Sequence, residues 1–328
     1  MIPGKLRNGD TILVVPASRS LSIVSQETRE IAVSNLEKIW LKVIIGQNAE
    51  LIDSVNSLPV KNRIDDIHRW FSDAHIKWLF TVIGWFNSIQ LLSELDYQLI
   101  EQNPKILCWY SDVTVLLNAI YAKTWLITYY GPHFSTFWVK KWNEYTLEYA
   151  KKCLFEDAPF LVKSSEQWSD DLWYLNQDER TFYKNEWLVT LQEWETEWIL
   201  VWWNINAFRL LNGTEYFPDL NEKILFLEND WLDKEYTYQE FDRRLESILL
   251  QNWWDNIRWL LIWRFKVISN MNIEKLKNII EGKKRLRGIP IIYGLDFGHS
   301  LPMMTIPIGW RARLDVRDSG IKLTITQY

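Results

Sequence analysis

Short apolar runs alternate with helical patterns through the first half of the chain, and this alternation restricts the fold more than any other feature. The runs Thr11–Val15, Lys42–Ile45 and Trp78–Ile83 have the length and composition of buried strands. Between them, residues 25–39 and 60–72 carry apolar side chains at helical spacing. Strands that alternate with helices form βαβ units around a parallel sheet, so we predict an α/β fold.

The alternation continues and then loosens toward the middle of the chain. The remaining predicted elements of the first half are a helix over Ile89–Leu95, a strand over Lys105–Cys108, a helix over Val113–Tyr121 and a strand over Ile127–Tyr129. From about residue 145 to 184 the sequence is polar and aromatic without clear periodicity, which is typical of a linker. We therefore expect an N-terminal three-layer domain over 1–163 and a linker over 164–184.

The C-terminal part, residues 185–328, is predicted to be a smaller domain that is rich in strands. The expected strands cover residues 198–201, 224–227, 257–262, 289–293, 303–306, 311–316 and 321–326. Two amphipathic segments, 238–251 and 273–281, are predicted helices between them. The chain as a whole is therefore expected to be α/β with two domains.

Composition narrows the possible functions. A chain with a formal net charge of −5 is not expected to have the basic surface that non-specific nucleic-acid binding requires. The two cysteines, Cys108 and Cys153, have no metal-ligand spacing and form no disulfide framework. The first ten residues contain no apolar signal region, and no apolar run is long enough to span a membrane. We expect a cytoplasmic protein without nucleic-acid or membrane partners.

The segment around Ser111 is the sharpest local indication of chemistry. A buried strand ends at Cys108-Trp109-Tyr110, the serine follows, and an apolar helix begins at once. This is the arrangement of a nucleophile elbow, in which the hydroxyl lies near the positive end of the helix. The backbone N–H of the next residue, Asp112, can then stabilise an oxyanion. Alternatively, Ser111 is only the N-cap of the helix, a common role for serine.

Three other polar positions lie at the ends of predicted strands. The loop Gly84-Trp85 follows one strand and can supply further N–H donors to an oxyanion, or it is a simple turn. Glu228 ends an apolar strand and can orient an imidazole, although most such carboxylates are merely solvated. His299, in a glycine-flanked loop, is the best candidate base among the four histidines. The order Ser, Glu, His matches that of α/β-hydrolase triads.

These segments together resemble the LD-carboxypeptidases, or muramoyl-tetrapeptide carboxypeptidases, and the related microcin C self-immunity peptidases. The matching segments are Leu6–Ser18, Gly84-Trp85, Tyr110–Thr114, Tyr130–Pro132, Asn212–Tyr216, Leu227-Glu228, Gly298-His299 and Pro307–Gly309. The resemblance implies a nucleophile Ser111, an orienting acid Glu228 and a base His299. It also implies an oxyanion hole formed by Asp112 and the Gly84-Trp85 loop, a C-terminal domain of the swivelling type, a homodimer, and no metal or cofactor.

Two segments are more similar to the microcin-immunity branch, namely the loop at 83–88 and the linker at 168–173. This resemblance assigns Asn87, Ser88, Trp168 and Trp173 to substrate binding. An aromatic ring can stack on a nucleotide base for roughly 1–3 kcal/mol. For the two tryptophans, packing between the domains is the alternative role.

The expected function is therefore metal-free hydrolysis of an amide bond near a substrate C-terminus. The substrate is either an L,D-murein peptide or a microcin C-like peptidyl or aminoacyl nucleotide. A catalytically silent binding protein on the same scaffold is the alternative from a different class.

The chain contains 21 Trp and 12 Gly, whereas an average content of about 7% would give roughly 23 Gly. Many of these tryptophans stand at turns and strand ends, where the family pattern has glycine. The set consists of Trp40, Trp85, Trp109, Trp125, Trp138, Trp142, Trp194, Trp198, Trp202, Trp203, Trp231, Trp253, Trp259, Trp263 and Trp310. Our hypothesis is that the source gene uses UGA for glycine and was translated with a table that reads UGA as tryptophan. UGG codons at Trp109, Trp202 and Trp203 would contradict it.

Overall fold

Two β-sheets organise the chain in the computed structural model, which describes residues 1–140, 143–186, 188–192, 195–229, 231–317 and 320–326. The strands of the N-terminal part are β1 Thr11–Val15, β2 Lys42–Ile45, β3 Ile76–Thr81, β4 Ile106–Trp109, β5 Thr128–Tyr130, β6 Phe160–Val162, β7 Gln167–Trp168 and β8 Tyr183–Lys184. Those of the C-terminal part are β9 Val189–Gln192, β10 Glu195–Asn204, β11 Lys223–Glu228, β12 Trp259–Trp263, β13 Ile291–Leu295, β14 Ile306–Ile308, β15 Arg311–Arg317 and β16 Gly320–Thr326.

The α-helices connect these strands. They are α1 Gln26–Glu37, α2 Val60–Ser72, α3 Tyr97–Gln102, α4 Thr114–Thr124, α5 Glu144–Leu154, α6 Ile205–Arg209, α7 Thr237–Leu249 and α8 Ile273–Gly282. Nine residues of helix α4 are buried, because the helix packs against α3, β5 and β10. Among the described residues, no helix is long and apolar enough to cross a membrane.

The first sheet has the strand order β14-β5-β4-β3-β1-β2. Strands β1 to β5 pair in parallel, and β14 joins the edge in antiparallel orientation. The central strands β1, β3 and β4 are almost wholly buried, as expected for a parallel sheet covered on both faces. Because parallel strands share their direction, the loops after β1, β3 and β4 meet at one edge of the sheet.

The second sheet has the order β6-β16-β15-β10-β11-β12-β13-β9. Its central strands β10 to β13 are parallel, and the outer pairings are antiparallel. Strands β7 and β8 form a separate two-stranded ribbon. The predicted fold class, α/β with an N-terminal parallel sheet and a strand-rich C-terminal part, is confirmed.

Some predicted elements differ from the observed ones. The expected helix over 89–95 is only a short 3-10 helix, Ser88–Leu91, because the chain turns before Asp96 caps α3. The segment that looked like a linker begins with α5, which buries Tyr149 and Cys153 on one face. The strand expected at 303–306 begins only at Ile306. The division into domains stays a prediction, and β6 and β14 each pair with the sheet of the other part.

Two of the tryptophans in the glycine hypothesis have a left-handed backbone. Trp40 has φ 59°, and Trp125, which ends α4, has φ 57°. Glycine is the residue that tolerates this region without steric cost. Trp142 and Trp194, which also belong to the set, lie outside the described residues.

Candidate active site

Ser111 occupies the sharp turn between β4 and α4. Its φ is +66°, a conformation that costs a non-glycine residue energy and that occurs often at functional turns. The residue begins a 3-10 helix, Ser111–Val113, and the N-cap of α4 is Val113 rather than Ser111. The serine hydroxyl contacts the ring of His299 instead of capping the helix. The local geometry is that of an elbow.

His299 and Glu228 lie beside this serine, although the three residues are far apart in sequence. The Nε2 of His299 is 3.0 Å from the Ser111 Oγ. The Nδ1 of the same ring is 3.2 Å from the Oε1 of Glu228. The second contact is not aligned well enough to be a hydrogen bond, since the buried Nδ1 has no hydrogen-bond partner among the residues that the structure describes. Such contacts are often loose before substrate binds and tighten in the complex.

Glu228 is completely buried at the end of β11 and is held by two side-chain donors. The amide of Asn204 donates to its Oε1 at 2.8 Å, and the phenol of Tyr130 donates to its Oε2 at 3.2 Å. Asn204 is the register partner of Glu228, because β10 and β11 are parallel and end together. Sequence analysis missed both donors, although Asn204 could have been found as a polar residue at a strand end.

The loop after β3 packs directly onto the serine. A Cβ on Gly84 would lie 2.9 Å from the Ser111 Cβ, 3.0 Å from its Oγ and 3.3 Å from the Asp112 N. Only a residue without a side chain fits at this distance. The backbone of this loop and the Asp112 N–H therefore converge beside the hydroxyl, where N–H donors can stabilise an oxyanion. Trp85, next to Gly84, is partly exposed, and its Nε1 donates to Val55 O at 3.1 Å.

The carboxylate of Asp112 joins the loops that surround the serine. Its Oδ2 accepts hydrogen bonds from the Ser18 hydroxyl at 2.8 Å, the Ser88 hydroxyl at 2.6 Å and the Ser88 N–H at 3.0 Å. Asn87 accepts a second bond from Ser18 at 3.0 Å. Asn87 and Ser88 are both buried, and their hydrogen bonds with Ser18 and Asp112 fix the loops that surround Ser111. Their assignment to substrate binding stays a prediction.

The two linker tryptophans are partly buried and lie against other aromatic rings. Trp168 packs on Tyr183 with ring centroids 4.9 Å apart, within the β7–β8 ribbon. Trp173 meets Trp138 edge to face at 6.4 Å. Stacking on a substrate base stays a prediction for both residues.

His133 is buried behind the site. Its ring stacks on Tyr110 with centroids 4.1 Å apart, and its Nδ1 is 2.6 Å from the Ser135 hydroxyl. Burial lowers the pKa of His133 well below its ordinary value, and the nearby His299 adds to the effect. The imidazole of His133 is therefore neutral at physiological pH.

Arg264, which lies at the end of β12, is not free to bind a substrate carboxylate. Its guanidinium is buried and pairs with Asp296 at 2.9 Å, Asn185 at 2.8 Å and Gly294 O at 2.7 Å. Among the described residues, no group of three or more His, Cys, Asp and Glu side chains could hold a metal ion.

Sequence profiles of one peptidase family match both parts of the chain. The LD-carboxypeptidase N-terminal domain matches residues 12–131, and the LD-carboxypeptidase C-terminal domain matches residues 200–314. The "Putative carboxypeptidase YocD" of Bacillus subtilis is 41% identical over 328 residues, 100% of either chain. The "Probable murein peptide carboxypeptidase" of the same organism is 27% identical and covers 96% of this chain and 92% of its own.

Solved structures show the same similarity. An MccF-like protein from Bacillus anthracis superimposes with a TM-score of 0.98 at 42% identity, over 100% of both chains. The microcin C7 self-immunity protein MccF, a protein of Escherichia coli, superimposes with a TM-score of 0.89 at 27% identity in its complex with aspartyl sulfamoyl adenosine. That match covers 100% of this chain and 99% of MccF.

Proposed function

Because the chain belongs to the LD-carboxypeptidase family, we propose that it is a serine hydrolase that cleaves an amide bond near a substrate C-terminus. Ser111 is the nucleophile, His299 the general base and Glu228 the acid that orients the imidazole. The observation that carries the proposal is the 3.0 Å contact between the Ser111 Oγ and the His299 Nε2, at a serine with φ +66°.

The reaction follows from this geometry. As the Ser111 Oγ attacks the scissile carbonyl, its proton moves to the His299 Nε2, and Glu228 stabilises the imidazolium. The oxyanion of the tetrahedral intermediate is bound by the Asp112 N–H and the Gly84-Trp85 loop. His299 then gives the proton to the leaving amine, which departs and leaves an acyl-enzyme. Water, activated by His299, releases the acid product. No step requires a metal or cofactor.

For the substrate, we favour a small aminoacyl or peptidyl nucleotide over a murein peptide. A solved relative at 42% identity is MccF-like, and MccF itself binds aspartyl sulfamoyl adenosine. The murein alternative is supported by the relative at 27% identity that is named for that substrate. We further propose that the enzyme works in the cytoplasm, as a homodimer.

Hydrolysis of an aminoacyl sulfamoyl adenosine and of an L,D-tetrapeptide, followed by chromatography, tests the proposal. We expect turnover of at least one substrate, and a loss of roughly 1,000-fold or more in Ser111→Ala. Ser93→Ala, at an exposed serine away from the site, is the matched control and retains activity. Full activity in Ser111→Ala would contradict the proposal.

A second comparison separates the hydrolase from a silent binding protein. Trp85→Gly and Trp109→Gly restore the residues that the glycine hypothesis predicts beside the serine. If the doubly substituted chain binds the nucleotide but cleaves neither substrate, the binding protein is the better description. Higher turnover in this variant than in the parent supports the hydrolase.

A further inference from the structure

Tyr130 connects the candidate acid and the loop of the candidate base through a single hydroxyl. Its phenol donates to the Glu228 Oε2 at 3.2 Å and accepts from the Gly298 N–H at 2.8 Å. Gly298 directly precedes His299, so one oxygen atom touches both the acid and the backbone that carries the base. The side chain is fully buried, which removes water as a competing partner.

The position of Tyr130 in the fold explains why its hydroxyl reaches these groups. It ends β5, and its register partner on β4 is Trp109, two residues before Ser111. The side chain of Tyr130 thus extends from β5, the strand next to the elbow, to Glu228 at the end of β11 in the other sheet. The three residues of the candidate triad are brought together from two sheets, and Tyr130 spans the gap between them.

We propose that Tyr130 is a positioning residue, which sets the orientation of Glu228 and His299 relative to Ser111. The inference rests on the proposed hydrolase function, but it concerns a residue outside the triad. Burial raises the pKa of Tyr130 well above its ordinary value, and the negative charge of Glu228 raises it further. The phenol therefore stays protonated and always offers its proton to Glu228. It acts on the site through its hydrogen bonds with Glu228 and with the Gly298 N–H.

The space around Gly298 supports the same role. Its φ is +87°, and a Cβ there would lie 2.7 Å from the Glu228 Oε2. The backbone of the His299 loop is therefore pressed against the oxygen that Tyr130 also contacts. With so little space, loss of the phenol oxygen would leave the Gly298 N–H without its acceptor and Glu228 with one donor fewer.

The test replaces Tyr130 with Phe and uses Tyr129→Phe as the matched control. Tyr129 is the neighbouring residue on β5 and is equally buried, but its hydroxyl has no hydrogen-bond partner within the part of the chain that the structure describes. Both changes delete one buried phenol oxygen, and only the first removes contacts with the site. For Tyr130→Phe we expect kcat to fall roughly 10- to 100-fold with KM changed less than about 2-fold. Tyr129→Phe keeps the parental kcat.

A second readout needs no turnover. The chain has four histidines, so the His299 Cε1 proton can be assigned and followed by NMR. Among the described residues, the groups that face this ring are Ser111, Glu228, Tyr110 and His133. In Tyr130→Phe, the loop that carries His299 loses the acceptor of the Gly298 N–H, so the ring changes its orientation and the Cε1 resonance moves from its parental position. The resonance is unmoved in Tyr129→Phe.

These readouts separate the two claims. If the parent cleaves no amide substrate, the proposed function fails, and the NMR spectrum still decides the role of Tyr130. An unmoved His299 resonance in Tyr130→Phe overturns the positioning role. So does a Tyr130→Phe chain that no longer folds or that loses only thermal stability, because the hydroxyl then acts on the fold alone.

Discussion

Trp125 shows at the scale of one residue how the backbone distinguishes among the tryptophans. It lies just after α4 with φ 57°, in the left-handed conformation that ends many helices and that usually belongs to glycine. The residue is 58% exposed, so little packing compensates for the backbone cost. Burial alone is a weaker guide. Among the described residues, the buried indole N–H groups of Trp109 and Trp138 find no hydrogen-bond partner, but neither do those of Trp70 and Trp78, which do not belong to the set.

Trp125→Gly is expected to raise the free energy of unfolding by about 1 kcal/mol, because glycine adopts this φ without strain. The measurement is urea denaturation of the purified chain. Trp125→Ala is the control, since it also removes the indole but keeps a Cβ at the same φ. Equal gains in both variants would show that exposure of the indole, rather than the backbone, is the cause.

At the scale of elements, much of the site follows from strand order. Ser111, Gly84 and Glu228 were each predicted from a polar or glycine residue at the end of an apolar run, and they do lie at strand ends. Tyr130 could not be found in this way. Its role depends on the reach of a phenol between two sheets, and no local pattern encodes that contact.

The helices show a similar limit. Helix α5 was missed because its buried face contains Thr146, Tyr149 and Cys153, a mixture that does not look apolar in sequence. The expected helix at 89–95 has suitable apolar spacing, but a turn and the capping of α3 by Asp96 end it early. In both cases tertiary contacts decided what local periodicity left open.

The loop after β3 gives a prediction at this scale. Gly84→Ala is expected to lower kcat roughly 100-fold or more, because the added Cβ would lie within 3.0 Å of the Ser111 side chain and displace the oxyanion donors. Steady-state kinetics measure it, on whichever of the two proposed substrates the parent chain cleaves. The control is Gly282→Ala at the end of α8, where a Cβ meets no atom within 4 Å. Unchanged kcat in Gly84→Ala would mean that this loop contributes no donor.

At the scale of the whole molecule, His133 links stability to pH. Its pKa is lowered in the folded chain by burial, so the unfolded chain binds a proton more readily below the ordinary value of about 6.5. The contribution of neutral His133 to stability is therefore fully present well above pH 6.5 and is lost as the pH falls below this value. Half-buried His68, whose pKa burial also lowers, acts in the same direction.

Between pH 7.5 and pH 5.5, His133 is expected to lower the free energy of unfolding, because the unfolded chain takes up a proton there more readily than the folded chain. Urea denaturation at a series of pH values measures the dependence of the free energy of unfolding on pH. His133→Asn should reduce this dependence, whereas His75→Asn, at an exposed histidine, should not. A slope that is the same in parent and His133→Asn would contradict the assignment.

Strands β6 and β14 have a consequence for how the molecule can move. Each is the terminal strand of a sheet whose other strands come mainly from the opposite part of the chain. Each part of the chain thus contributes one edge strand to the sheet of the other part. If the chain were cut between residues 163 and 185, each fragment would lack that strand and would have an unpaired sheet edge. If one part of the chain rotates against the other, β6 and β14 must move with the sheets to which they are bonded, or their backbone hydrogen bonds must break.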